Sequence, residues 1–197
     1  MIPADIDPDS GFRLPLPKRE AMDADGQRLY DEVAHPTGIN IRGLRGPGGI
    51  QLYSPKLARF ARPLNRYLRQ EAGLSPRLRE VAILVTAREF SSQFEWAAHE
   101  PEALKAGVPR ATIEIIKHRR PASGLAEEDA AIIALGREAF GAKQVSSATF
   151  ARVLKAFGAH QLVDIVALMG NYAGTAILLA TFNMQLDDGQ EPMLPLP

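Results

Sequence analysis

Residues 75–108 read SPRLREVAILVTAREFSSQFEWAAHEPEALKAGV, and this stretch decides the fold. Ser75-Pro76 is a helix start: serine can accept from the first free N–H groups, and proline sits where its missing N–H has no bond to lose. The run Val81-Ala82-Ile83-Leu84-Val85 is apolar on every face of a helix. A helix from Ser75 to about Phe90 must therefore be buried all round and lie at the centre of the molecule. A second helix is predicted from about Ser92 to Ala106, bent at Pro101 and closed by Gly107.

Outward from this pair, the same start and stop signals predict six more helices. They fall at Ala24–Ala34, at Ser54-Pro55 to about Glu71 with a kink at Pro63, from Pro109 to about Arg120, and at Ala126–Phe140, Ser146–Phe157 and His160–Leu186. The first is stopped by His35-Pro36-Thr37-Gly38. No run alternates as a strand would, so the fold class is all-α, a multi-helix bundle. Ile39 to Tyr53, with Gly43, Gly46, Pro47, Gly48 and Gly49, reads as the longest irregular segment and carries Arg42 and Arg45. Residues 1–23 read as a Pro-rich N-terminal arm, residues 187–197 as a tail, and 1–197 as a single domain.

Composition narrows the function classes. The chain of 197 residues balances 23 Lys+Arg against 23 Asp+Glu. With no net field to draw it to a polyanion, neither nucleic acid nor a membrane surface is an expected partner. It contains no cysteine, so disulfides, thiolate nucleophiles and cysteine-ligated metals are excluded. The N-terminus lacks the basic start and apolar run of a secretory signal, and a cytoplasmic location is expected. The apolar stretch Leu162 to Ala180 is interrupted by Asp164, Asn171 and Thr175 and reads as a buried helix, not a membrane span.

One constellation can carry chemistry. Glu95 and His99 are one helical turn apart on one face, and Ser92 joins them a turn earlier. A carboxylate beside an imidazole orients one ring nitrogen and tunes its proton affinity towards neutrality, which proton transfer requires. Glu80 lies in a helix whose neighbours are almost wholly apolar, so it needs a partner or must hold its proton. The candidates are Arg77, Arg79, Arg88 or the Ser92/Glu95/His99 face. Glu80, Glu95 and His99 also offer three potential metal ligands. His35, His118 and His160 have no metal-ligand spacing.

Glu80, eleven residues, Ser92-x-x-Glu95-x-x-x-His99, then Ala103 and Gly107-Val108 resembles the core motif of the carboxymuconolactone decarboxylase family. The likeness runs from Ser75 to about Ile116 and again through QLVDIVALMGNYAGTAILLATFNMQL near the C-terminus. That family shares an all-helical fold with the alkylhydroperoxidase D-like proteins. Their peroxidase branch has Cys-x-x-Cys where this chain has Ser92 and Glu95, so a thiol peroxidase is excluded.

The resemblance implies a lyase needing no metal or organic cofactor, acting on a small carboxylated lactone or keto acid from aromatic-compound breakdown. On γ-carboxymuconolactone, electrons left by CO2 flow through the ring double bond into the lactone carbonyl, so the substrate is its own electron sink. The protein must deliver a proton and stabilise charge. His99 is then the expected proton donor or oxyanion partner, Glu95 the group that sets its tautomer and proton affinity, and Glu80 the group that completes a relay or orients the pair. Ser92, Arg42, Arg45 and Trp96 are the candidate substrate contacts, the arginines because a planar guanidinium fits a carboxylate.

The resemblance also implies a homo-oligomer, a trimer or hexamer, and Ala167, Gly170, Gly174 and Ala176 suit close helix approach at a subunit interface. The alternative reading is a non-catalytic ligand-binding or assembly protein on the same scaffold.

Overall fold

Pairs of Ser-Pro and isolated glycines punctuate the chain where helices begin and end. In a computed structural model, which describes residues 3–35 and 41–195, these signals bound eight α-helices and no strand among the described residues. They are α1 (Ala24–Ala34), α2 (Pro47–Gln51), α3 (Pro55–Arg66), α4 (Pro76–Glu89), α5 (Gln93–Lys105), α6 (Arg110–Lys117), α7 (Glu127–Gly136) and α8 (Ser147–Thr181). The described residues form two compact units. The first comprises Met1–Arg66 with Ile177–Glu191, and the second Tyr67–Ala176 with Pro192–Pro197.

In the second unit, α4 is the central helix, buried from Glu80 to Arg88 and packed against α5, α6 and α7. Ser75 Oγ accepts from the Leu78 N–H, and Pro76 opens the helix as its sequence foretells. Val81, Ile83, Leu84 and Val85 join Ile113, Ile132, Ile133, Ile165 and Leu168 in one apolar core. Gly136 lets α7 approach α4: a Cβ there would stand 2.4 Å from Val85 Cγ1. A turn through Ser91, at φ 50°, folds α5 back beside α4.

The predicted helix to Glu71 ends as α at Arg66, and a π-helical turn, Tyr67–Glu71, follows. A second π-helical turn, Arg137–Ala142, finishes the segment predicted to run to Phe140. The break foreseen between Phe157 and His160 is the left-handed Gly158, at φ 72°, within α8. The last helix stops at Thr181, earlier than Leu186, because Asn183 turns left-handed and Met184 N–H closes on Leu179 O. An apolar window of α8 is long enough to cross a membrane by length and composition, and 44% of it is buried within the structure.

The first unit has its own core of Leu29, Val33, Leu52 and Ala58. Asp23 caps α1 by accepting from the Gly26 N–H. Pro36 to Asn40, which include the expected stop at Pro36-Thr37-Gly38 and the first residues of the glycine-rich segment, lie outside the described residues. The rest of that segment departs from the irregular loop expected of it. Pro47 starts the short α2, and Gly48, Gly49 and Ile50 are buried. The physical reason is close packing: a Cβ on Gly49 would lie 2.0 Å from the Leu44 carbonyl oxygen. Nor is the N-terminal arm loose. Phe12 is fully buried and meets Phe182 edge to face, while Arg13 N–H donates to Phe182 O. In the second unit, Gln93 pins the tail by accepting from the Met193 and Leu194 N–H groups and donating to Leu194 O.

Candidate active site

The hairpin of α4 and α5 brings two carboxylates and an imidazole into the apolar interior of the second unit. Glu80, Glu95 and His99 are each at most 4% exposed. Glu80 Oε2 lies 2.7 Å from His99 Nδ1, and Glu80 Oε1 takes a 3.3 Å bond from Arg79 Nε. Arg79 Nη1 also donates to the Arg69 carbonyl oxygen, which ties the π-helical turn to the base of the site. Both classes of partner expected for Glu80, an arginine and the histidine face, are therefore present. Arg77 instead pairs with Asp129, and Arg88 donates to Lys117 O.

Glu95 is the unusual member. Its Oε2 stands 3.9 Å from His99 Nε2, beyond hydrogen-bond length, and is buried with no hydrogen-bond partner. An unsatisfied buried polar atom costs about 1–3 kcal/mol, so a core built for stability alone has no reason to keep it. Tyr172 of α8 closes the other side, its ring edge-on to the imidazole at 5.1 Å between centroids.

Burial and charge pull these groups apart. For Glu80, burial raises the proton affinity, but the bond from His99 and the charges of His99, Arg79 and Arg69 outweigh it and hold the carboxyl below its ordinary range. For Glu95, burial pushes the carboxyl up, opposed by the charges of His99 and Arg69 and assisted by that of Glu80. Burial also pushes the Tyr172 phenol up. Two carboxyls with opposite shifts beside one imidazole is the pattern by which a site separates acid and base roles.

A stability consequence follows with a definite sign. Glu95 binds its proton more tightly folded than unfolded, so its contribution is complete below the unfolded value and is lost as pH rises through the folded one. Glu95→Gln removes that dependence. Above about pH 4.3, wild-type stability is expected to fall progressively relative to Glu95→Gln, as followed by urea unfolding at stepped pH. A difference that stays constant with pH would refute the buried neutral acid.

Of the two carboxylates expected to act on His99, it is Glu80 that contacts the ring. Glu80, not Glu95, makes the bond that orients the imidazole, because the α4–α5 crossing puts it on Nδ1 while the i, i+4 geometry leaves Glu95 short of Nε2. Ser92 takes the N-cap position of α5 without a side-chain cap bond, and its N–H donates to Ala87 O. Trp96 is fully buried in the apolar core, and its Nε1 donates to Glu100. It presents no exposed ring. Arg42 and Arg45 belong to the first unit, where Arg42 pairs with Asp187 and the Arg45 guanidinium lies against Gly11. Among the described residues, no group of three His, Asp or Glu is arranged to hold a metal ion.

Sequence reading missed Arg69 and Tyr172. An arginine on a π-helical turn carries no local signal, and Tyr172 is indistinguishable in sequence from the other inward residues of α8.

The all-helical fold is consistent with the helical bundle of the alkylhydroperoxidase D-like proteins. Residues 55–136, from α3 to α7, match the carboxymuconolactone decarboxylase family. No curated protein matches the chain.

Proposed function

We propose that the protein is a cofactor-free carboxy-lyase acting on a small carboxylated lactone or keto acid of aromatic-compound breakdown. The observation that carries this reading is the orphaned, buried Glu95 carboxyl facing the free nitrogen of a histidine whose other nitrogen is held by Glu80. When the γ-carboxylate of such a lactone leaves as CO2, the electron pair of the broken bond moves through the ring double bond onto the lactone oxygen. Glu95, whose hold on its proton burial strengthens, donates a hydrogen bond to that oxygen as charge develops. Protonated His99 then transfers its Nε2 proton to ring carbon and is left neutral, with Nδ1–H still on the Glu80 carboxylate. Glu80 touches no substrate atom in this scheme. It is a positioning residue.

The test is to mix metal-stripped protein with γ-carboxymuconolactone and follow CO2 release together with the ultraviolet change. Turnover that depends on His99 is the expected result. A folded protein that releases no CO2 overturns the assignment and moves the reading to a binding or assembly role.

The reading includes a cytoplasmic homo-oligomer, a trimer or hexamer, with a small molecule and not nucleic acid or membrane as its ligand. Its support is the outward face of α8, where Val163, Val166, Ala167, Gly170 and Gly174 are exposed in succession. Ala176, grouped with them by spacing, is buried instead. Val166→Glu places a charge in that apolar strip and is expected to lower the mass seen by light scattering to that of a single chain, without unfolding. An unchanged assembly would move the interface elsewhere.

A further inference from the structure

The site pairs an acid and a base that cannot neutralise each other. Glu80 accepts the Nδ1–H of His99, which leaves the lone pair of the neutral ring on Nε2. Glu95 Oε2 stands 3.9 Å from that nitrogen, buried, and nothing hydrogen-bonds it. That gap is too wide for a bond between the two. It is narrow enough for each to reach neighbouring atoms of one small carbonyl compound, the base at a C–H and the acid at the carbonyl oxygen. Around them stand Glu80 and Arg79 from α4, Arg69 from the π-helical turn and Tyr172 from α8, with Tyr172 packed on the imidazole.

The geometry points to a second activity at this site: reversible enolisation of lactones that carry no carboxylate to lose. In this step the C–H bond next to the carbonyl breaks, its proton goes to His99 Nε2, and its electron pair forms the new ring double bond. The carbonyl π pair moves to oxygen, which takes the proton of Glu95. Return of a proton to carbon from His99, and of the enol proton to Glu95, regenerates the lactone and both residues. Neither oxidant nor co-reactant is needed. The step shares its residues with the proposed decarboxylation, and rests on that reading only for the choice of a lactone as the carbonyl compound.

The probe is α-angelica lactone, an uncharged five-membered enol lactone. Incubated with the protein in D2O near neutral pH, its ring CH2 signal should disappear from the proton NMR spectrum about 100-fold faster than in buffer, the lower end of what one positioned acid–base pair gives. Glu95→Gln keeps the shape but has no acidic proton, and should slow exchange at least tenfold. His99→Gln, which can still donate to Glu80, should reduce it to the buffer rate.

Exchange at the buffer rate with folded wild-type protein overturns the inference, as does accelerated exchange that Glu95→Gln leaves unchanged. The two proposals fail separately. CO2 release from the carboxylated lactone without exchange of α-angelica lactone removes the second activity alone, and exchange without CO2 release removes the decarboxylase assignment alone.

Discussion

Replacing His99 by alanine is expected to lower kcat/KM on the carboxylated lactone by about 10²- to 10⁴-fold, the range supplied by one positioned proton-transfer group. The loss has two parts that a second variant separates. Alanine removes the proton carrier, and it also removes the partner of Glu80 Oε2, leaving a buried carboxylate held only by the 3.3 Å bond from Arg79. Leaving a buried hydrogen-bonding group without its partner costs about 1–3 kcal/mol, more when the group is charged, so His99→Ala should also melt early. His99→Gln offers an amide N–H to Glu80 while transferring no proton. It should keep most of the stability and lose the same activity. Turnover by His99→Gln within a factor of a few of wild type would remove His99 from the chemistry.

Gly136→Ala should destabilise the fold by about 1–3 kcal/mol, the usual cost of forcing an extra methyl into a filled core. The added Cβ would meet Val85 Cγ1 at 2.4 Å and Met169 Cε at 3.1 Å. Methionine is flexible and can yield. Valine is held at χ1 and sits on the fully packed α4, so the helices themselves must part. Each kcal/mol should lower the thermal midpoint by roughly 2–4 °C in a chain of this size. A midpoint equal to that of wild type would mean α7 and α4 are not in this close contact.

The sequence speaks most clearly where backbone chemistry is local. Ser75-Pro76 and the apolar run after it mark the start and the burial of α4, since capping and all-round hydrophobicity need no knowledge of distant contacts. Gly158 likewise marks the break in α8. The π-helical turns at Tyr67–Glu71 and Arg137–Ala142 have no such signature, because one residue more per turn leaves composition unchanged. The glycine-rich segment misleads for a related reason. Gly49 serves close packing against Leu44 rather than flexibility, and spacing alone does not separate the two uses.

The site is legible as membership but not as roles. Glu95 and His99 can be paired from their i, i+4 spacing, and Glu80 is conspicuous as a carboxylate in an apolar helix. Which carboxylate reaches which nitrogen depends on how α5 packs on α4 beyond the turn at Ser91. Arg69 and Tyr172 enter by tertiary packing alone. The electrostatic split between a low Glu80 and a high Glu95 follows from those contacts.

Glu80 and His99 are separated by only 19 positions in sequence. The loop that must close to unite them is short, and the turn at Ser91 already points the two helices back on each other. Chain closure over such a distance costs little entropy, and contacts this local form early on a folding pathway. One short hairpin thus brings Glu80 and His99 together, whereas the groups that tune them, Arg69 and Tyr172, arrive from outside it.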